Sequence, residues 1–268
     1  MDGVESNQYA ISDAGTLAYI PGVFAGSLEA DEGRTLVWVD RNGREESIPV
    51  PPRSYSYARV SPDGTELALM VVGENAGIYT WSIGSGPLRR FPERTGVDQY
   101  PVWIDDREIA FLYTNDDSQG IYRHSLDSGV VELIADGSTM ADGLDVYPIS
   151  MFPEADSIAV SVLTDSFSEL GLLSLDGTYE AIDQRRGQVS LNQPEISPDG
   201  THIAHQAIPE GILVREFPDV DSTSIEIGVG VRPAWSRDGT ELYFQNGVTI
   251  SLWPWKPNRV LYTARPRP

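Results

Sequence analysis

The sequence predicts an all-β chain, a six-bladed β-propeller of four-stranded antiparallel blades. Three observations predict it: a turn phrase that recurs six times in phase, short runs of strand-forming residues on either side of it, and frequent glycine and proline between the runs.

The phrase comes first. An aromatic or polar residue, often followed by proline, leads through a hydrophobic pair into Ser-x-Asp-Gly or a variant, and a second hydrophobic run follows. The copies read QYAISDAGTLAYI from Gln8, YARVSPDGTELALM from Tyr57, YPVWIDDREIAFL from Tyr100, YPISMFPEADSIAV from Tyr147, QPEISPDGTHIAH from Gln193 and RPAWSRDGTELYF from Arg232. Anchored at Ser12, Ser61, Ile104, Met151, Ser197 and Ser236, successive copies lie 49, 43, 47, 46 and 39 residues apart, the length of one blade. In SPDG, proline presets φ, aspartate caps the local backbone and glycine takes the left-handed conformation, so the flanking runs read as the first two strands of a blade. The third and fourth copies lack this turn and should form hairpins of another shape.

Two more strands per repeat complete each blade. In the second repeat they are IYTWSI and PLRRFP, and in the third IYRHSL and VVELIA; Gly84-Ser85-Gly86, Asp127-Ser128-Gly129 and Asp176-Gly177 read as turns between such pairs. The expected blades are residues 6-52, 53-95, 96-140, 141-187, 188-228 and 229-268, with no linker left over. The ring closes by blade packing alone or, preferably, by adding Asp2–Glu5 as a strand beside RVLYTAR from Arg259. Trp81, Trp103, Trp235, Trp253 and Trp255 are expected between blades, with Pro254 marking an edge strand.

These repeats, with the phrases VWVDRNG and RPAWSRDG, resemble the TolB-like, WD-repeat-like propellers of bacteria over essentially the whole chain. That family occurs as stand-alone proteins and C-terminal to bacterial serine/threonine kinases. The resemblance implies a binding scaffold and supplies no catalytic nucleophile.

Charge narrows the partners. With 40 acidic and 19 basic residues the net charge is −21, which argues against nucleic acid and anionic membrane surfaces. Lys256 is the sole lysine, a bias that fits either a GC-rich genome or a salty medium. No apolar run approaches the roughly 20 residues of a membrane helix, so no membrane insertion is expected in this segment. Met1–Ala10 is polar and acidic, unlike a secretion leader. The chain is therefore expected in the cytoplasm, or outside it if a leader or membrane segment precedes this sequence.

Catalytic patterns are sparse. There is no cysteine, no Gly-x-Ser-x-Gly elbow and no phosphate loop. His202 and His205, three apart in one strand, point to opposite faces and cannot share a metal; His124 stands alone. Asn115-Asp116-Asp117 and Asp219-Val220-Asp221 lack EF-hand spacing and read as solvated loop charge. No metal and no cofactor is expected.

Aligning the repeats gives a binding site instead. The residue entering each first strand faces the channel mouth: Gln8, Tyr57, Tyr100, Tyr147, Gln193 and Arg232, with Asp98, Asp145 and Asn192 just upstream. Such a polar, aromatic ring either hydrates the mouth or grips a ligand, with Arg232 exposed to pair with the aspartates or with a ligand carboxylate. The expected function is a monomeric, non-catalytic recognition propeller for a protein, peptide or small ligand. The alternatives are a channel-sited lyase or hydrolase using Tyr, Arg and Asp, and the sensor fragment of a receptor-like kinase.

Overall fold

The computed structural model describes residues 9–11, 17–19, 33–40, 44–91, 94–137, 145–152, 156–163, 167–186, 192–207, 211–219, 223–246 and 249–255. The chain forms antiparallel sheets taken in sequence order. The first holds β1 (Tyr9–Ile11), β2 (Leu17–Tyr19), β3 (Val37–Val39) and β4 (Glu45–Ser47). The second holds β5 (Tyr55–Val60), β6 (Glu66–Val71), β7 (Gly77–Ser82) and β8 (Arg89–Arg90). The third holds β9 (Val97–Trp103), β10 (Glu108–Thr114), β11 (Gln119–Ser125) and β12 (Val131–Asp136). The fourth holds β13 (Asp145–Phe152), β14 (Ser157–Leu163), β15 (Phe167–Ser174) and β16 (Tyr179–Arg186). The fifth holds β17 (Asn192–Ile196), β18 (His202–Ala207), β19 (Gly211–Glu216) and β20 (Ile225–Gly228). The last holds β21 (Val231–Trp235), β22 (Glu241–Asn246) and β23 (Thr249–Pro254).

This is an all-β propeller of four-stranded antiparallel blades. Five sheets have four strands, whereas the last has three among the described residues, one short of the sequence expectation. Pro254 ends β23, the outermost strand of that sheet among the described residues. The strands expected to close the ring, Asp2–Glu5 and the run from Arg259, lie outside the described residues.

The turn phrase folds as its chemistry dictates. Ser61 Oγ donates to Asp63 Oδ1 (2.6 Å) and accepts from the Glu66 N–H (2.9 Å), while the N–H and hydroxyl of Thr65 both donate to Asp63 Oδ1. Gly64 takes φ 74°. Ser197/Asp199/Thr201 and Ser236/Asp238/Thr240 repeat these contacts. The third copy has no glycine, and Asp105 Oδ1 instead accepts from the N–H groups of Arg107 and Glu108, both at 2.7 Å.

The core lies between blades. Leu36, Tyr55, Leu67 and Trp81 join the first two sheets; Phe91, Trp103 and Phe111 join the second and third. The later junctions are Ile121 with Val160, Ala159 with Ile203, and Val214 with Trp235. Val39 packs against Ala234 and Tyr243, so the last sheet also meets the first. The first strands touch in the order β1, β5, β9, β13, β17, β21 and back to β1. They therefore line the central channel.

Candidate functional site: the channel mouth and its floor

Every first strand from β5 to β21 carries an irregularity a few residues before its turn. Register shifts fall between the partners of Tyr55 and Tyr57, Gln99 and Val102, Pro148 and Ser150, Asn192 and Glu195, and Val231 and Ala234. Proline cannot donate to a ladder, so Pro101, Pro194 and Pro233 occur where pairing is broken, and Pro148 stands just before the break at Ile149. Tyr100 (φ 52°) and Arg232 (φ 57°), each followed by proline, are held in the left-handed region. That conformation costs a non-glycine residue about 1–3 kcal/mol and persists where the surroundings enforce it.

The bulges aim three tyrosines at one another. Tyr57, Tyr100 and Tyr147, from three consecutive blades, meet edge to face with ring centroids 6.0 and 5.1 Å apart. Such pairs contribute about 0.5–1.5 kcal/mol each beyond burial. Tyr57 is buried, while Tyr100 and Tyr147 are half-buried. Burial holds the Tyr57 hydroxyl above its ordinary pKa, so it remains a phenol at neutral pH.

Two residues further along β5, Arg59 reaches across the channel. Its Nη2 donates to Tyr57 Oη (2.8 Å) and to the carbonyl of Ile149 (3.3 Å), and its Nη1 donates to Glu195 Oε2 (3.3 Å). Ile149 is the bulge residue of β13, which frees its carbonyl from the ladder. Three blades thus meet on one guanidinium, whose carbon lies 4.9 Å from the centroid of the Tyr57 ring. The Arg59 and Glu195 side chains are 14% and 16% exposed, so water barely reaches the pair. Burial raises the Glu195 pKa, with Arg59 opposing it; burial also works against the charge on Arg59, but Tyr57 and Glu195 outweigh it and raise its pKa. The indole N–H groups of Trp103 and Trp235 donate to the carbonyls of Arg59 and Glu195, each at 3.0 Å, so the following blade fixes the backbone of each.

The residues expected at the mouth divide. Tyr57, Tyr100 and Tyr147 come together there. Arg232 does not stand exposed as expected: it is 4% exposed and its Nη1 donates to Gln245 Oε1 (2.9 Å), which is buried opposite the β21 bulge. Asp98 is not beside the tyrosines either. It accepts from Arg94 and lines a small polar cavity with Gly77, Arg90, Phe91 and Gly96 between the second and third sheets. Strict alternation would put residues 98 and 100 on one face, but the left-handed turn at Tyr100 interrupts it. Asp145 and Asn192 begin β13 and β17, and Gln193 lies in β17, but their side chains, like all of Gln8, lie outside the described residues.

The sequence reading missed Arg59 and Glu195. A signal existed: two positions before each turn anchor the described blades carry Ala10, Arg59, Val102, Ile149, Glu195 and Ala234, two opposite charges among apolar residues. Among the described residues no three His, Asp or Glu side chains group as a metal site.

Solved structures share this fold at low identity. TolB from Acinetobacter baumannii matches with TM-score 0.61 and 18% identity, covering 86% of this chain; this chain spans only 57% of that one. A structure described as TolB from Agrobacterium tumefaciens matches with TM-score 0.63 and 17% identity over 92% of this chain and 90% of that one. Oligogalacturonate lyase from Vibrio parahaemolyticus matches with TM-score 0.58 and 8% identity over 91% and 87% of the two chains. No family model and no curated protein matches the sequence. The chain is therefore similar in fold to TolB-like propellers.

Proposed function

We propose that the chain is a recognition propeller without catalytic activity, a six-bladed ring that binds a protein, peptide or small ligand at the channel mouth. The observation that carries this reading is the arc of Tyr57, Tyr100 and Tyr147, three amphipathic rings from successive blades beside the Arg59–Glu195 pair that spans the channel. The sixth blade is completed in this reading by a fourth strand from the residues beyond those described. The test is a fragment and peptide screen by protein-observed NMR, followed by Tyr100→Ala. Ligands should perturb the arc and be lost in that variant, while the fold persists. Ligands that map to the outer blade edges and ignore the substitution would overturn it.

A lyase is the second reading, favoured by the fold shared with oligogalacturonate lyase and by a phenol, a guanidinium and a carboxylate placed together at Tyr57, Arg59 and Glu195. The protonated state of Tyr57 weighs against it, since the arginine donates to a hydroxyl that does not serve as a base. Ultraviolet absorbance of an unsaturated product from oligogalacturonate, with and without added divalent cation, decides between the readings. The VWVDRNG and RPAWSRDG phrases also support a place C-terminal to a kinase, which the gene's upstream sequence tests directly.

A further inference from the structure

We propose that the small cavity between the second and third sheets is a binding site for a single water molecule, which donates to Asp98 Oδ2 and ties β9 to β7. The carboxylate sets the requirement. Asp98 is 7% exposed, and its Oδ1 accepts from Arg94. Its Oδ2 accepts no hydrogen bond among the described residues, and the residue lines the cavity. The Arg94 guanidinium is also held over the rings of Tyr113, Tyr122 and Phe111. A buried acceptor left without a donor costs more than an ordinary hydrogen bond contributes, so a donor belongs on the cavity side.

The walls select which donor. The cavity measures about 10 Å³, room for one water. Ala76, Gly77 and Ile78, around the start of β7, and Gly96, just before β9, line it with their peptide groups, so a water there has partners besides the acid. Arg90 and Arg94 stand in the same walls and disfavour a cation, while Asp98 disfavours an anion. A neutral donor meets neither penalty. Gly77 keeps the space open: a Cβ there would stand 3.6 Å from Arg90 Nε, in ordinary contact with another residue of the cavity wall. A methyl at that position would take the room of the water. Its φ of 142° adds strain to any side chain, so the variant is read by the water and not by its stability.

The probe is water itself, followed in the full chain by high-resolution crystallography and by water–amide NOEs in solution. The crystal structure should show one isolated peak about 2.6–3.0 Å from Asp98 Oδ2. The amide protons of Gly77 and Gly96 should show NOEs of the sign that marks a long-lived bound water. Those of Gly84 and Gly86, in an exposed turn with nothing near their Cβ positions, should not. Gly77→Ala should abolish the NOE at Gly96. Asp98→Leu, which replaces the acceptor with an apolar group, should abolish the NOEs at both glycines and serves if Gly77→Ala fails to fold. Density without a peak at Oδ2 overturns the proposal, as do wild-type NOEs at Gly77 and Gly96 that match those at Gly84. NOEs that survive Asp98→Leu overturn it too, because the carboxylate then does not hold the molecule. A peak ringed by oxygens at about 2.3–2.6 Å would be a metal ion and would also overturn it.

Discussion

Two buried ion pairs in this propeller solve different problems. Arg94 and Asp98 lie four residues apart, on the approach to β9 and within it, and meet at the junction of two neighbouring sheets. The Arg94 guanidinium stands over three rings, Tyr113 at 4.2 Å, Tyr122 at 5.0 Å and Phe111 at 5.1 Å, with Phe91 and His124 alongside, their ring centroids 4.4 Å apart and their planes tilted by 47°. Arg59 and Glu195 lie 136 residues apart, with two sheets between theirs in sequence. The first pair comes with a complete aromatic housing and a short approach. The second includes a 3.3 Å contact with the acid, a phenol and the carbonyl of Ile149. The contrast separates a pair that joins two neighbouring sheets from a pair that spans the channel between distant ones.

That contrast can be broken by unfolding measurements. Arg94→Met leaves the Asp98 carboxylate, already raised in pKa by burial, without its cation, and should cost about 3 kcal/mol in urea denaturation. Glu195→Gln should cost about 1 kcal/mol, because Arg59 keeps Tyr57 and the Ile149 carbonyl. If the order of these two losses reverses, the channel pair is the structural one. Ser61→Ala and Ser236→Ala each remove a side chain that both donates to and accepts within its turn, and each should cost about 1 kcal/mol, adding in the double variant because the turns share no partner.

The smallest effect is in pH. Burial, then Arg94, lowers the pKa of His124, and its Nδ1 has no hydrogen-bond partner among the described residues. A histidine depressed in the folded state contributes stability above its unfolded pKa, near 6.5, and that contribution is lost as pH falls toward the folded value. The raised carboxyl of Asp98 works in the opposite sense, adding stability as pH falls through its folded pKa. His124→Phe should therefore flatten the decline in melting temperature between pH 7.5 and 5.5 relative to wild type. Parallel curves would show that His124 does not titrate in that range.

The hairpins were legible because their information is local. Ser61, Asp63, Gly64 and Thr65 make their turn within five residues, and the same letters make the same turn at Ser197 and Ser236. The tyrosine arc was legible for a related reason, since equal position in a repeat means equal height in the channel. The fates of Asp98 and Arg232 were not legible, because the bulge that follows Asp98 and the one that contains Arg232 change which face a residue meets. The proline following Tyr100, Gln193 and Arg232 was the available sign of that interruption. Arg59 escaped notice because its partner lies on a distant blade and no single repeat holds both charges.

The bridge from Arg59 to Glu195 bears on how such a chain can evolve. Propellers grow and shrink by copying or deleting whole repeats, and the Ser-Asp-Gly-Thr turns of this one would fit any copy equally well. The bridge would not. Insert or remove one unit between the second and fifth sheets, and the acid no longer stands across from the guanidinium. Modules that are interchangeable at their outer hairpins are thereby numbered at the axis, and once the pair had arisen, the count of repeats between its members was no longer free to drift.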